Sequence, residues 1–249
     1  MQIQQRIENY WQDAASRYSN NIWKEMSSFK KDAWVALIDE HRPDGKPLKV
    51  LDIGTGPGFF AMLLSGMGHV VTAIDCTENM LAEAAYNVEK AGYQVEFYKM
   101  DSHELDFPDG TFDLIVCRNL TWTLRDPVQA YREWHSVLRP GGRLMVFDAN
   151  WHLRLFDSEM DRLYREDKER AKQMGIPDSH DQSNMEESDN IARQLYLSSR
   201  RRPHWDGSAL IDTGFTKIII DTDISGKVWD DNDKVLYRST PMFMLVAEK

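Results

Sequence analysis

The chain opens with two helical stretches before any strand pattern. Ile3, Ile7, Tyr10 and Trp11 recur at the spacing of a short amphipathic helix. Ile22, Trp23, Met26, Phe29, Ala33, Trp34, Leu37 and Ile38 trace a second, stronger one. The run 41–47 (HRPDGKP) is a turn-rich break. The period then changes. Short apolar strands are expected at 49–53, 70–74, 95–98, 112–117 and 143–148, with helices at 59–67, 77–92 and 127–138 between them. Strands alternating with helices read as an α/β fold with a doubly wound, mostly parallel sheet.

Two features depart from that alternation. Residues 150–205 carry an apolar stripe through Leu155, Phe156, Met160, Leu163, Tyr164, Ala171 and Met174. A polar stretch at 177–190 and a second helical pattern at 191–199 follow. We read this region as a helical insertion packed over one end of the sheet. Segments 216–222 and 241–246 are strand-like but lack a helix-length crossover, which predicts antiparallel pairing at the sheet end. The expected organisation is therefore an N-terminal helical lid (1–45), a Rossmann-like seven-stranded core (46–150 and 206–249) with an antiparallel last strand, and a cap (151–205).

Composition narrows the function classes. Of 249 residues, 42% are hydrophobic and 28% charged, an ordinary globular balance, and the net charge of -10 disfavours non-specific binding to nucleic acid. No apolar run approaches the roughly 20 residues of a membrane span. Cys76 and Cys117 both close predicted strands and read as reduced, packed thiols, which makes the cytoplasm the default compartment. No Cys/His cluster has zinc-ligand spacing, so no metal is expected.

The chemistry concentrates after the first strand, in Val50-Leu-Asp-Ile-Gly-Thr-Gly-Pro-Gly58. Gly54, Gly56 and Gly58 permit a sharp turn and close approach to a ligand. A dinucleotide fingerprint would place its last glycine where Phe59 stands. Asp52 precedes the loop, Asp75 ends the second strand, and Asp101 with Ser102 follows the third. Ligands of open α/β sheets bind at that carboxyl edge.

From Leu51 to Gly142 the sequence resembles the class I S-adenosylmethionine (SAM)-dependent methyltransferases, especially the ubiquinone/menaquinone-biosynthesis-like branch. The matching segments are LDIGTGPG, AIDCTENML, KMDSHELDFPDGTFDLIVCRN and HSVLRPGGRL. The resemblance implies that Asp52, Gly54, Thr55, Gly56, Asp75, Cys76, Met80, Asp101, Ser102 and Arg118 line a SAM pocket. In that pocket Asp52 would serve the ammonium, Asp75 the ribose and Asp101 the adenine. The opening Tyr10-Trp11…Ala15…Tyr18 resembles the N-terminal lid of that branch.

Beyond strand four the chain departs from its relatives. Where many carry a histidine or an acid, it reads Arg118-Asn119-Leu120-Thr121-Trp122-Thr123, so no general base carries over. Asn119, Trp122, Asn150, Trp151 and Arg201 are the candidate contacts to a small-molecule acceptor. His152 reads as structural or exposed, and the run 200–202 as a solvated arginine cluster with an anion site as its alternative. Other expectations for the whole are an RNA or protein acceptor, a non-catalytic SAM-binding protein, or a nucleotide-binding dehydrogenase, which Phe59 argues against.

Overall fold

The computed structural model describes residues 2–45, 47–177 and 182–249, with the side chains of 182–184 left aside. In chain order the elements are α1 (Ile3–Met26), α2 (Phe29–His41), β1 (Lys49–Ile53), α3 (Phe59–Gly66), β2 (Val70–Asp75), α4 (Glu78–Lys90), β3 (Glu96–Lys99), β4 (Phe112–Arg118), α5 (Pro127–Val137) and β5 (Leu138–Asp148). Then come α6 (Ser158–Gln173), α7 (Gln182–Ala192), α8 (His204–Asp212), β6 (Lys217–Asp221), α9 (Ser225–Val228), α10 (Asp231–Leu236) and β7 (Phe243–Glu248).

The seven strands lie in the order β3-β2-β1-β4-β5-β7-β6. β1 pairs parallel with both β2 and β4, whereas β7 runs antiparallel to β5 and to β6. The central strands are apolar on both faces because helices cover both. Val50, Leu114, Val116, Met145 and Phe147 pack in one layer with α2 and α3. Their neighbours Leu51, Ile115, Cys117, Leu144 and Val146 pack in the other with α5 and α8. That is the period-two alternation of a strand, buried twice.

The structure revises the N-terminal reading. A single 24-residue helix runs to Met26 where two shorter ones were expected, and the break falls at Ser27 and Ser28. Its middle is polar, and hydrogen bonds to α4 hold it. The Trp23 indole donates to Asn87 Oδ1 (2.8 Å), and Asn87 donates to Ser19 (2.9 Å) and to the Pro57 carbonyl (3.0 Å). Apolar spacing could not reveal this, because the stabilising partner lies 64 residues away.

In the insertion, the expected stripe is only partly buried. Phe156 and Met174 are exposed, while Asp167 and Ala171 are buried on α6. The second helix lies earlier than expected, at Gln182–Ala192, beginning within the polar stretch 177–190 and ending two residues past it, and a 3₁₀ turn occupies Tyr196–Ser199. Residues 178–181 of that stretch lie outside the described residues. α7 packs on α1, where Arg6 forms a bidentate pair with Glu187 (both 2.9 Å). Ile7, Trp122, Ile191 and Leu195 make an apolar cluster between the two.

The arginine run also differs from the solvated reading. Arg201 is exposed (side chain 72%) and pairs with Asp157, but Arg202 is buried (1%). Its Nη1 donates to Asp148 (3.0 Å), its Nε to Asp206 (2.9 Å) and its Nη2 to Asp206 (2.7 Å) and Thr121 (2.5 Å). The Tyr131 hydroxyl donates to Asp206 (2.6 Å). Burying two carboxylates is tolerable only because the guanidinium fork and neighbouring donors satisfy them.

Removing that cation while keeping the bulk should therefore strand both acids. Arg202→Met is expected to lower unfolding free energy by about 3–5 kcal/mol, whereas Arg201→Ala next to it should stay within about 0.5 kcal/mol of the parent. Urea titrations of the two variants provide the comparison, and equal losses would contradict it.

Candidate active site

The parallel order reverses between β1 and β4, and a cavity opens at the carboxyl ends of the strands there. Its floor is the loop after β1. The N–H groups of Gly54 and Thr55 both donate to the Ile74 carbonyl (2.9 and 3.0 Å), which draws the loop over the end of β2. Gly54 has φ +66°, and a Cβ there would stand 2.7 Å from Leu120 Cδ1. Gly58 has φ +93° at the N-cap of α3 and faces Ala84 of α4, where a Cβ would lie 3.2 Å away. These two glycines thus serve different contacts, one with the cavity wall and one with helix packing.

Asp52, Gly54, Thr55, Gly56, Asp75, Cys76, Met80, Asp101, Ser102, Arg118, Asn119 and Tyr18 all line this cavity. The Thr55 hydroxyl donates to Asp52 (2.6 Å). Burial raises the Asp52 pKa to about 7, against the lowering effect of Thr55 and Arg118. Asp75 is buried and accepts from Gly56 N–H (3.1 Å) and from the N–H and hydroxyl of Thr77 (both 3.0 Å). Burial still pushes its carboxyl up. Thr77 stands at the N-cap of α4, as expected, but its hydroxyl serves Asp75 and makes no helix cap.

Asp101 is the opposite case. Burial opposes its ionisation, but the His103 ring (2.6 Å) and Arg125 outweigh burial and hold its pKa at about 2. His103 Nε2 accepts from Asp126 N–H (3.2 Å), which places the ring proton on Nδ1, facing Asp101. Arg118 lies over the Phe59 ring (4.2 Å) and pairs with Glu25 of α1 (2.9 Å). Burial lifts the Cys76 thiol and the Tyr18 phenol to about 12, so both are neutral near pH 7.

Other singled-out residues stand elsewhere. Tyr10 meets Trp11 edge-on (5.0 Å) in the seam between α1 and α7. Trp122 is buried, its ring 4.4 Å from that of His152, and the indole N–H of Trp151 donates to Asp148 (2.9 Å). Asn150 exchanges two hydrogen bonds with the Arg202 backbone. Arg201 faces solvent. His152 is buried beside Asp189 (3.5 Å), not exposed.

The structure adds Gln4, Ile7 and Ile22 to the Trp11 and Tyr18 that the lid motif had already marked. Gln4, Ile7, Trp11, Tyr18 and Ile22 all line the cavity from α1, and their spacing marks one face of a continuous helix. That signal becomes readable only once α1 is known to be unbroken. His103, Leu120 and Leu124 complete the wall. Among the described residues no group of three His, Cys, Asp or Glu side chains could hold a metal, and no helix is long and apolar enough to cross a membrane.

Asn119 gives the clearest sign of a missing partner. It has φ +56°, lines the cavity, and its buried Oδ1 accepts no hydrogen bond. With three strand-end carboxylates beside it, the cavity is rich in acceptors. That acceptor set fits a ligand carrying an ammonium, a ribose diol and an aromatic amine, as SAM does.

The loop's geometry can be tested without ligand. Gly54→Ala and Gly68→Ala both place alanine in the left-handed region (φ +66° and +83°), but nothing lies within 4 Å of Gly68. Each should lose about 1–2 kcal/mol, with a further loss at Gly54 that Leu120→Ala relieves. Equal urea midpoints for the two variants would show that the Leu120 contact does not matter.

Comparison with known proteins agrees with this geometry. Residues 51–146 match the methyltransferase domain family. The demethylmenaquinone methyltransferase of Thermus thermophilus is 36% identical over 139 residues, which are 55% of this chain and 62% of that protein. The ubiquinone/menaquinone biosynthesis C-methyltransferase of Roseobacter denitrificans is 31% identical over 158 residues, 57% of this chain and 58% of that one. The chain thus spans about half to three-fifths of the length of the curated relatives it matches. Phosphoethanolamine N-methyltransferase 2 of Haemonchus contortus, solved with S-adenosylhomocysteine, superposes with a TM-score of 0.61 over 96% of this chain and 59% of that one, at 16% identity, a likeness of fold alone. Over residues 51–146 the chain carries the methyltransferase-domain pattern, and in its motifs, sheet order and these matches it is similar to the class I SAM-dependent methyltransferases of the ubiquinone/menaquinone-biosynthesis-like branch.

Proposed function

We propose that the chain transfers the methyl group of SAM to a small-molecule acceptor by in-line displacement. The observation that carries this reading is the acceptor-rich cavity at the β1–β4 crevice, where the unpartnered Asn119 Oδ1 and the Asp52 carboxyl face the same space. In our assignment Asp52 and Asn119 take the ammonium, Arg118 the carboxylate, Asp75 the ribose, and Asp101 with Ser102 the adenine. Gly54, Thr55, Gly56, Cys76 and Met80 shape the floor. When bound, SAM supplies a methyl group already activated by its sulfonium.

The protein's own task is then alignment and exclusion of water. Trp11 and Tyr18 present aromatic rings to the cavity and favour a cation there. His103 is the one histidine that lines it among the described residues, and both of its ring nitrogens are engaged. The lining therefore offers no free imidazole base. This suits an acceptor that presents its own nucleophile, or one whose proton leaves to solvent. The small-molecule acceptor is supported by the names of the quinone-pathway relatives, and Trp122, Asn150 and Trp151 would then act as supports behind the acceptor site.

We further assign residues 1–45 and 151–205 to a two-part lid over the core 46–150 and 206–249. The α1–α7 seam, with Arg6–Glu187 and the cluster around Ile7 and Trp122, is where the two parts meet. Lids of this kind order on binding and shield the reaction.

Two measurements test these assignments. Calorimetry should show micromolar-range SAM binding, on the order of -8 kcal/mol, and none for NADH. Asp75→Ala should weaken it by about 1–3 kcal/mol. Because Asp52 keeps its proton up to about pH 7, a bound ammonium must drive that proton off at lower pH. SAM affinity should accordingly fall by up to about tenfold per pH unit below 7, and Asp52→Asn should flatten that slope. A pH-independent affinity in the parent would refute the role given to Asp52. The sign for the free protein is the reverse: a raised folded pKa stabilises at low pH, and that stability is lost as pH climbs from about 4 to 7.

The second measurement is hydrogen exchange. S-adenosylhomocysteine should protect residues 8–20. Protection of 150–205 should follow only when acceptor is also present, identified by a library screen that reads S-adenosylhomocysteine release. Unchanged exchange in both segments would remove the lid.

A further inference from the structure

The two edges of the sheet are built differently. β3, at one edge, carries Glu96 and Lys99, and Lys99 pairs with Glu78. That pair commits the β3 cation to a contact within the chain. β6, at the other edge, pairs only with β7 among the described residues. It reads Lys217-Ile218-Ile219-Ile220-Asp221, with no proline, and its register with β7 runs without a shift.

Both faces of this strand leave isoleucine in water. Ile218 and Ile220 point to the α8 side, where α8 approaches so closely that a Cβ on Gly207 would stand 3.0 Å from Ile220 Cδ1. Ile220 remains 43% exposed, and Ile211, one helical turn beyond Gly207, is 61% exposed. On the opposite face stand Lys217, Ile219 (38% exposed) and Asp221. Asp221 has a loose contact to Lys227 (3.6 Å), and Lys217 has no ion pair within the chain among the described residues.

The order of charges carries a symmetry. A two-fold axis at Ile219 sets a second copy antiparallel, with Lys217 opposite Asp221, Ile218 opposite Ile220, and Ile219 opposite itself. Residues directly opposite in an antiparallel pair share a face, so each contact joins like with like or positive with negative. A slip of one residue would oppose Lys217 to Ile220 and turn the second copy's α8-side isoleucines to the other face.

We propose that β6 is a self-association surface, on which a second copy of this chain pairs its own β6 antiparallel and continues the sheet across a two-fold axis. The pairing covers Ile219 between two Lys217–Asp221 contacts on one face. It brings Ile218, Ile220 and Ile211 of both copies together on the other. Such an interface is isologous and closes at two copies.

Charge reversal followed by sedimentation tests this on the full chain. The parent should sediment as a dimer whose population rises with concentration. Lys217→Asp or Asp221→Lys alone sets like charges opposite each other at both ends. Each should weaken the dimer about tenfold. The double reversal should restore the parent affinity within about threefold. Mixing the two single variants should also restore association, because each then meets its complement. Circular dichroism confirms that every variant is folded, and the mixing arm answers the question even where one single variant is less stable. A parent that stays monomeric at all concentrations overturns the proposal. So does a dimer unmoved by either single reversal, which would place the contact on another face.

Discussion

The buried pair of Asp148 and Arg202 is the constraint on which the upper half of the molecule depends. Asp148 ends β5 and accepts from Thr121, the Trp122 and Ala149 N–H groups, the Trp151 indole and Arg202. Arg202 in turn holds Asp206 of α8, which takes the Tyr131 hydroxyl from α5. One network therefore fixes the turn after β4, the start and end of the insertion, and two helices of one layer. Because both ions are fully desolvated, the arrangement has little freedom to shift, and partial satisfaction would be worse than an apolar substitute.

That rigidity is transmitted to the cavity. Thr121 and Trp122 are pinned by Asp148, so Asn119 and Leu120 just before them have little choice of path. Asn119 adopts a left-handed backbone, and Leu120 presses on Gly54. The acidic floor and the pinned wall thus come from different strands and meet only at the crevice. On the third side α1 lays one stripe over the opening, anchored by Asn87 of α4. The three carboxylates there are electrically unlike. Desolvation prevails at Asp52 and Asp75, while at Asp101 desolvation, though large, is outweighed by His103 and Arg125 together. A ligand with a cationic end and a neutral polar end would distinguish these environments.

The fold neighbours share the layered core, yet at about one-sixth sequence identity they inform only the scaffold. Here α6 packs toward α10, with Asp167 accepting from Arg238 and Ser239, while α7 packs on α1. The insertion therefore contacts both the N-terminal helix and the C-terminal part of the core. The boundary drawn at 205/206 falls within α8, which packs on β6 and α5.

The α/β alternation, the antiparallel end of the sheet, and the loop from Asp52 to Gly58 with its acids at three successive strand ends are legible in the residue pattern alone. Those features rest on local period and on backbone freedom, which a short window records. Contacts between distant segments, by contrast, emerge only in the folded chain. The polar middle of α1 is helical because Asn87 receives it, and Arg202 is buried because Asp148 and Asp206 await it. Trp122, Asn150 and Trp151 support the wall because the Asp148 and Arg202 groups claim their neighbours or their own polar atoms. A charged or polar residue reads as solvated until its partner is known, since burial is favourable only when the partner is in place.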